Sequence, residues 1–249
     1  MDQDKIKQFA DLLEKSSYTV FFGGAGVSTA SGVPDFRSAT GIYTQHIGAE
    51  RILTPGFMHA HPEEFYAFNR EYFYQEGILP NDCHKVLAAL EKIGKLDLVV
   101  TQNIDGLHQA AGSEKVVELH GSTLRQYCEK CGQSYSLDEV KAMDLVPHCR
   151  VPGCTGLIRP DIVLYEEALK EQDIIAAVEA IARADLLIIG GTSLTVYPAA
   201  GLIQYQKATG KKLLINMTAT PSDRIADLII RDPIAQVFAQ TAKALNLAY

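Results

Sequence analysis

Short runs of continuously apolar residues alternate with helix-like segments through most of this 249-residue chain. The runs at residues 18–22, 96–101 and 185–190 have the length of strands, and their unbroken apolarity indicates burial on both faces. Residues 5–15, by contrast, place apolar side chains on one face of a helix. This alternation predicts an α/β fold with a Rossmann-like, doubly wound parallel sheet.

Two stretches break the alternation. Further strands are predicted at 116–119, 212–216 and 226–230, and further helices at 172–183, 198–208 and 233–247. Residues 36–81 are helix-like and rich in aromatics, whereas residues 122–156 hold four cysteines. We therefore predict a large Rossmann-like domain formed by residues 1–35, 82–121 and 157–249. The two insertions, a helical one and a cysteine module, are predicted to form a smaller domain.

The cysteine module has the spacing of a metal site. Its residues are Cys128-x-x-Cys131 and Cys149-x4-Cys154, two close pairs whose thiolates can converge on one tetrahedral zinc ion. Disulfides are the alternative, but no secretory h-region precedes the core, so a cytoplasmic protein with one structural zinc is expected. His148 is a possible substitute ligand. Cys83 has no partner at ligand spacing and is interpreted as a passive thiol.

Charge and hydropathy restrict the partners. The chain has 23 basic and 30 acidic residues and a formal charge of −7, which disfavours a direct nucleic-acid binder and permits a cationic polypeptide partner. Its apolar runs are far shorter than the roughly 20 residues that span a bilayer, so no membrane association is predicted.

A glycine loop follows the first predicted strand. Gly24-Ala25-Gly26 would let the backbone turn tightly and approach a pyrophosphate at the start of the next helix. The third glycine of the dinucleotide fingerprint is replaced by Thr29, so a purely structural tight turn is the alternative. The segment continues through Ser28 into Asp35-Phe36-Arg37, which supplies a carboxylate, a ring and a guanidinium suited to positioning a charged dinucleotide.

Polar residues also follow other predicted strands. Gln102-Asn103-Ile104-Asp105 follows the second strand, Gly191-Thr192-Ser193 the strand at 185–190, and Asn216 ends the next. Carboxyl ends of parallel strands meet at one sheet edge, which is where ligands of open α/β sheets bind. An Asn/Asp-rich turn that caps a helix is the alternative for 102–105.

His120 ends the third predicted strand and precedes Gly121. An imidazole with an ordinary pKa of about 6.5 can accept a proton at neutral pH, so His120 is a candidate general base. A buried structural histidine is the alternative. The remaining histidines are interpreted as surface or turn residues: His46, His59, His61, His84, His108 and His148.

Together these motifs resemble the sirtuin family of NAD-dependent protein lysine deacylases, over essentially the whole chain. The resemblance implies that acyl-lysine enters between the two domains and that NAD donates ADP-ribose to the acyl group. His120 would be the base, Gln102 and Asn103 would hold the reacting ribose and its water, Ile104 and Asp105 would contact nicotinamide, and Phe36 would guard the vacated pocket. The residues implied to contact NAD are Gly24, Ala25, Gly26, Ser28, Thr29, Asp35, Phe36, Arg37, Gln102, Asn103, Ile104, Asp105, His120, Gly191, Thr192, Ser193, Asn216 and Ile234. Those implied to contact substrate are Val163, Leu164, Tyr165 and Val196.

Two departures from the family pattern bear on substrate choice. The family's Phe-Gly-Glu segment is Tyr165-Glu166-Glu167 here, which could favour basic substrate flanks. Relatives that remove succinyl or malonyl groups carry Tyr-x-x-Arg, whereas Arg70 stands one residue later than that spacing after Tyr66. One residue rotates a helical side chain by about 100°, so neutral acyl groups such as acetyl are predicted.

Three functions fit the sequence. NAD-dependent protein deacetylation, which gives nicotinamide, O-acyl-ADP-ribose and free lysine, is the prediction. Mono-ADP-ribosyl transfer from the same NAD site is the alternative, and a catalytically idle binding protein is the third. A serine hydrolase is disfavoured because neither Ser28 nor Ser193 lies in a Gly-x-Ser-x-Gly elbow.

Overall fold

The computed structural model describes residues 1–249. Nine strands are β1 (Thr19–Gly23), β2 (Leu98–Thr101), β3 (Val116–Glu118), β4 (Gly121–Cys128), β5 (Ser134–Ser136), β6 (Ile158–Ile162), β7 (Leu186–Gly190), β8 (Lys211–Ile215) and β9 (Leu228–Ile230). Ten α-helices are α1 (Gln3–Lys15), α2 (Ile42–Gln45), α3 (Ala49–Ile52), α4 (Pro55–Ala60), α5 (Pro62–Tyr72), α6 (Asp82–Lys92), α7 (Leu107–Ala110), α8 (Leu137–Lys141), α9 (Glu171–Arg183) and α10 (Ile234–Ala244). Four 3₁₀ segments are Ala25–Val27, Thr29–Ser31, Ala199–Tyr205 and Asp223–Ile225.

The large sheet is parallel, as predicted. Its six strands run in the order β3-β2-β1-β7-β8-β9. The chain builds outward from β1 to β3 on one side and from β7 to β9 on the other. Strand order therefore reverses between β1 and β7, whose last residues, Gly23 and Gly190, are paired. A crevice at such a reversal is the usual ligand site of open α/β sheets.

Helices cover both faces of this sheet and close two apolar cores. On one face, α1, α6 and α10 pack over β1, with Phe9, Phe21 and Phe238 in edge-to-face contact. On the other face, α9 and the 3₁₀ segment Ala199–Tyr205 cover a second apolar cluster. The doubly wound Rossmann-like prediction is confirmed. None of the helices combines the length and apolarity that crossing a bilayer requires.

The smaller domain has two parts. Helices α2 to α5 enclose an aromatic core around Met58, Phe65 and Tyr66, and a three-stranded antiparallel sheet, β5-β4-β6, carries the cysteine module. Strand β6 lies within residues 157–249, which the sequence analysis assigns to the large domain, yet it pairs with β4. The small sheet therefore extends past that boundary, because the chain must return along β4 to re-enter the large domain.

Two predicted helices have a different form. The glycine loop leads into the two short 3₁₀ segments, Ala25–Val27 and Thr29–Ser31, rather than into an α-helix, and Ala199–Tyr205 is also 3₁₀. The first pair ends at Gly32, whose φ of 94° is left-handed and stops helical extension. Pro34 follows two residues later and also disfavours a longer helix.

Candidate active site

A cavity of about 950 Å³ lies between the carboxyl edge of the large sheet and the smaller domain. It brings together every residue predicted to contact NAD or substrate except Gly24. Those lining it are Ala25, Gly26, Ser28, Thr29, Asp35, Phe36, Arg37, Gln102, Asn103, Ile104, Asp105, His120, Val163, Leu164, Tyr165, Gly191, Thr192, Ser193, Val196, Asn216 and Ile234. The predicted motifs, far apart in sequence, therefore share one cleft.

The glycine loop is shaped by close backbone contact with the turn after β7. The Gly26 N–H donates to the Gly191 carbonyl at 2.8 Å, and a Cβ on Gly26 would stand 2.9 Å from the Gly191 Cα. Gly24 lies just below the cavity surface, where a Cβ would meet the Thr192 Cβ at 2.8 Å. These glycines let the turns after β1 and β7 touch, and this close contact is compatible with a phosphate site above the turn.

A buried serine connects the glycine loop to the polar residues after β2. The Ser28 hydroxyl donates to Asp105 Oδ2 at 2.6 Å and accepts from Asn103 Nδ2 at 3.0 Å. The other Asp105 oxygen accepts from the Leu107 N–H at 2.9 Å. This network fixes the Asn103 amide and the Asp105 carboxylate at the cavity wall, and it holds them to the glycine loop.

His84 lies next to that network, with its ring beside the Ser28 hydroxyl. Its Nδ1 accepts the Asn81 N–H at 3.3 Å at the start of α6, which leaves the ring proton on Nε2, 3.5 Å from the Ser28 hydroxyl. The ring is fully buried and packs edge-to-face on His108, 4.8 Å between centroids. Burial lowers the pKa of His84 to about 4 and that of His108 to about 3.

The assignment of His84 and His108 to the surface or to turns is therefore wrong. Both lie in the interior because α6 and α7 turn these faces toward β1 and the glycine loop. Neither ring nitrogen of His108 has a hydrogen-bond partner. The signal that sequence reasoning missed is the Asn81–His84 spacing of a capping box, which places a histidine in the first turn of a buried helix.

His120 has the tautomer that a base needs. Its Nδ1–H donates to the Gln102 carbonyl at 2.8 Å, so Nε2 carries the free lone pair. Burial lowers its pKa below the ordinary histidine value, and the bond to the Gln102 carbonyl partly offsets that effect. At neutral pH the imidazole is therefore uncharged and can accept a proton at Nε2.

Gly121, directly after His120, is required by the backbone. Its φ is +76°, and a Cβ there would overlap the Asp161 carbonyl oxygen. The Val163 N–H in turn donates to the His120 carbonyl at 2.9 Å. The candidate base is thus hydrogen-bonded through its own carbonyl to the residue that directly follows β6 of the small sheet.

Aromatic residues from the helical insertion form the opposite wall. Phe36 packs against Tyr43 and Phe73, with ring centroids 5.3 and 6.2 Å apart. The Tyr43 hydroxyl meets that of Tyr165 at 2.5 Å, and burial together with this contact raises the pKa of Tyr43. Tyr43 and Phe73 were not predicted, because residues 36–81 show helix periodicity without indicating which face meets the sheet.

Other predicted NAD residues line the cleft as parts of its turns. Asp35 Oδ1 caps the Arg37 and Ser38 N–H groups at 3.1 and 2.8 Å, and Thr192 accepts from Gln102 Nε2 at 3.3 Å. The Arg37 guanidinium is exposed, 3.9 Å from a Glu50 oxygen.

Residues after β6 form the rim of the cleft. Glu167 accepts a two-pronged hydrogen bond from the buried Arg159 guanidinium at 2.7 and 2.8 Å, and it also accepts from the Leu164 N–H at 2.8 Å. Glu166, at the family's glycine position, has a φ of +73°. The chain therefore adopts a left-handed conformation at this position with a side chain in place of the glycine.

Arg70 does not reach the cleft. Its guanidinium donates to carbonyls at the end of α8, including Met143 at 3.1 Å and Asp144 at 3.0 Å. The Tyr66 hydroxyl is likewise used inside the smaller domain, where it donates to the Ile158 carbonyl at 2.7 Å. These contacts agree with the helical-phase argument made from the sequence.

The cysteine cluster lies outside the cleft and fits a zinc ion. The sulfur atoms of Cys128, Cys131, Cys149 and Cys154 all lie within 4.8 Å of one another. Cys128 and Cys154 Sγ are 3.6 Å apart, as are Cys131 and Cys149 Sγ. Sulfurs around a tetrahedral zinc at about 2.3 Å are roughly 3.8 Å apart, whereas a disulfide requires about 2.05 Å. The donor set therefore fits four-thiolate zinc, and His148 is not part of it.

Cys83 is fully buried in the core of the large domain, where burial raises its pKa. A protonated, enclosed thiol agrees with the passive role predicted for it.

The fold and the cleft define a nucleotide-binding α/β protein with a thiolate-held module beside its ligand crevice. The Sir2 family profile matches residues 24–198. An NAD-dependent protein deacetylase of Clostridium perfringens is 47% identical over 95% of this chain and 98% of its own length. A solved Sir2 complex with a deacetylated p53 peptide and 3'-O-acetyl-ADP-ribose superposes with a TM-score of 0.90 at 39% identity, covering 98% of this chain and 99% of that one. A Sir2 complex with p53 peptide and NAD⁺ gives 0.87 at 40% identity, covering 97% and 98%. This chain belongs to the Sir2 family.

Proposed function

We propose that this protein is an NAD-dependent protein lysine deacetylase that produces nicotinamide, O-acetyl-ADP-ribose and free lysine. The observation that carries the proposal is His120, an imidazole held by the Gln102 carbonyl with its Nε2 lone pair free, in one cleft with Asn103 and Asp105. Relatives that match nearly the full chain bear the same activity in their names, and similar solved structures contain NAD⁺, peptide and acetylated ADP-ribose.

We assign NAD to the part of the cleft nearest the large sheet. The N–H groups and small side chains of the glycine loop suit the pyrophosphate, and Thr192, Ser193 and Asn216 extend the polar lining toward β8. Ile104, Asp105 and Phe36 are assigned to the nicotinamide end, where a ring and a carboxylate meet an amide-bearing heterocycle. Ile234, at the start of α10, is an apolar residue of the same lining.

The acyl-lysine is assigned to the rim between Val163–Tyr165 and Val196. Neither the Glu166 N–H nor the Tyr165 carbonyl is hydrogen-bonded within the chain, so an extended peptide could pair with this edge. Such pairing would bring the acyl-lysine side chain between the two domains and toward His120.

In this assignment the acyl oxygen attacks the ribose carbon and nicotinamide leaves. His120 Nε2 then accepts the proton of a ribose hydroxyl, whose oxygen attacks the acyl carbon. The Gln102 carbonyl keeps the imidazole oriented and favours its protonated form once the proton has moved. Asn103, held by Ser28, is assigned to the ribose and its water.

Neutral acyl groups are the proposed substrates. Arg70 donates to carbonyls of the cysteine module and is therefore not available to pair with a succinyl carboxylate. The one guanidinium in the cleft lining is that of Arg37, which is assigned to NAD. Catalytic efficiency on one peptide bearing acetyl-lysine should exceed that on its succinyl-lysine counterpart at least tenfold. A preference for succinyl would contradict the proposal.

Zinc is assigned a structural role, because four thiolates leave no coordination site open. Its site is separate from the cleft residues. A reducing compartment such as the cytoplasm suits such a site, and the cytoplasmic location stays a prediction.

One experiment separates deacetylation from ADP-ribosyl transfer. The protein is incubated with NAD carrying label in its adenosine, with and without an acetyl-lysine peptide. We expect nicotinamide release only with the acetylated peptide, and label only in small molecules. Label retained on protein, with nicotinamide release that does not need the acetyl group, would overturn the proposal in favour of the transferase.

A further inference from the structure

One carboxylate on the rim of the cleft is not used by the fold. Among the acidic residues that line the cavity, Asp105 is bonded to Ser28, Asp35 caps a turn, and Asp232 lies 4.0 Å from the terminal amine. Glu167 is committed to Arg159. Glu166 alone forms no hydrogen bond or ion pair, and it is exposed.

The loop that carries Glu166 is anchored on both sides. The Tyr165 N–H donates to the Leu53 carbonyl at 2.9 Å, and its hydroxyl meets that of Tyr43. On the other side, the Arg159–Glu167 pair holds the next residue, with the guanidinium almost completely buried. Glu166 therefore presents its charge from a fixed backbone.

The charges around the cleft leave this carboxylate without a cationic neighbour. Arg37 is the only basic residue in the lining, and its guanidinium lies near Glu50. Lys170, close in sequence, is paired with both Asp161 oxygens at 2.7 and 2.9 Å. A cation that meets Glu166 at the rim must come from another molecule.

We propose that Glu166 is a specificity-determining residue that selects acyl-lysine sites flanked by arginine or lysine. The inference rests on the proposed deacetylase function, since it names which acylated sequences that cleft prefers. Because Glu167 is already neutralised by Arg159, Glu166 supplies this preference alone. The pairing takes place at an exposed rim, so its effect is a few-fold and is sensitive to salt.

The test uses three peptides with one central acetyl-lysine and identical sequences, apart from flanks of arginine, alanine or glutamate. We expect the wild type to show a higher kcat/KM on the arginine peptide than on the glutamate peptide, at least fivefold at 50 mM salt. In E166Q this ratio should fall to near one, in E166K it should invert, and in the wild type at 500 mM salt it should also approach one. Gln occupies the same backbone conformation as Glu, so E166Q changes the charge alone.

The matched control is Glu114→Gln, an exposed glutamate outside the cleft that changes the net charge by the same amount. Its peptide ratio should equal that of the wild type. Equal ratios in wild type and E166Q, or an equal fall in both variants, would overturn the inference while leaving deacetylation intact. Failure of the wild type to deacetylate any of the three peptides would overturn the proposed function, and this inference with it.

Discussion

The large domain and the cysteine module keep their shapes by different means. Two apolar clusters of 21 and 17 buried residues sandwich the parallel sheet, whereas the module's own cluster has four buried residues, two of them metal-site cysteines. Burial of that size can hold the sheet edge rigid, but four residues cannot fold a module. The large domain is therefore held by apolar packing, and we expect the module to depend on the zinc ion that its four thiolates would bind.

The active site nevertheless depends on both regions. His120 lies two residues after the end of β3 of the large sheet, and the next residue, Gly121, begins β4 and pairs with Ile162 of β6. The Val163 N–H donates to the His120 carbonyl, so disorder in the small sheet would directly disturb the position of the candidate base.

The largest effect should come from removing a metal ligand. In Cys128→Ser or Cys154→Ala the zinc should be lost and the module should unfold, because metal-binding free energy, on the order of 10 kcal/mol for such sites, is folding free energy there. The large domain should keep its helical circular dichroism. Metal analysis and thermal denaturation measure both effects.

The matched control is Cys83→Ala, which removes a thiol from the large core and should leave one zinc per chain. Stoichiometric zinc in the ligand variants, or complete unfolding of the protein on their loss of zinc, would contradict the separation between the two regions.

The next largest effect concerns the base. His120→Ala should lower kcat about 10²- to 10⁴-fold, because proton transfer is lost while NAD binding and thermal stability stay near those of the wild type. Wild-type turnover by this variant would refute the assignment. His148→Ala, which changes an exposed histidine of the module, is the control and should retain activity.

The pH dependence of kcat/KM is a second test of His120 as the base. Burial lowers the pKa of His120, so its neutral form persists below pH 6.5. We expect the acidic limb of kcat/KM to fall below that value. A limb centred above pH 7 would identify another group as the base.

A smaller effect should distinguish the two regions, because the stability of the large domain should fall at low pH through its buried histidines. Above about pH 6.5, His84 and His108 are neutral in both the folded and the unfolded state and contribute nothing. As the pH falls further, the unfolded chain takes up protons that the buried rings do not, so stability is lost from about pH 6.5 down to about pH 4 for His84 and about pH 3 for His108. At pH 5 the loss is on the order of 2 kcal/mol per histidine.

His108→Phe should lower that pH dependence by about 2 kcal/mol between pH 7 and pH 5, because one of the buried titrating rings is gone. Chemical denaturation of the large domain at pH 7 and pH 5 measures it, with His148→Ala as the control. An unchanged slope in His108→Phe would show that the buried rings do not drive acid destabilisation.

More of the large domain than of the smaller one could be predicted from the sequence, and the reason is physical. Buried strands and their glycine or polar ends are local patterns, so β1, β2, β7 and the residues that follow them could be predicted. The positions of His84, Tyr43 and Phe73 depend on which helix face meets the sheet, and only the tertiary packing decides that. The pairing of β6 with β4 likewise joins segments about 30 residues apart and leaves no local signal.

The smallest predicted effect tests the backbone of the substrate rim. A residue with a side chain in the left-handed region costs about 1 kcal/mol relative to glycine, and Glu166 adopts that conformation with φ +73°. Glu166→Gly removes this strain but gives the unfolded chain more freedom, which offsets part of the gain. We expect a net stabilisation of about 0.5 kcal/mol, measured by chemical denaturation at pH 7, and no gain in Glu166→Gln, which keeps the side chain. Equal stability changes in the two variants would mean that the rim bears no backbone strain and that the charge alone distinguishes this residue from the family's glycine.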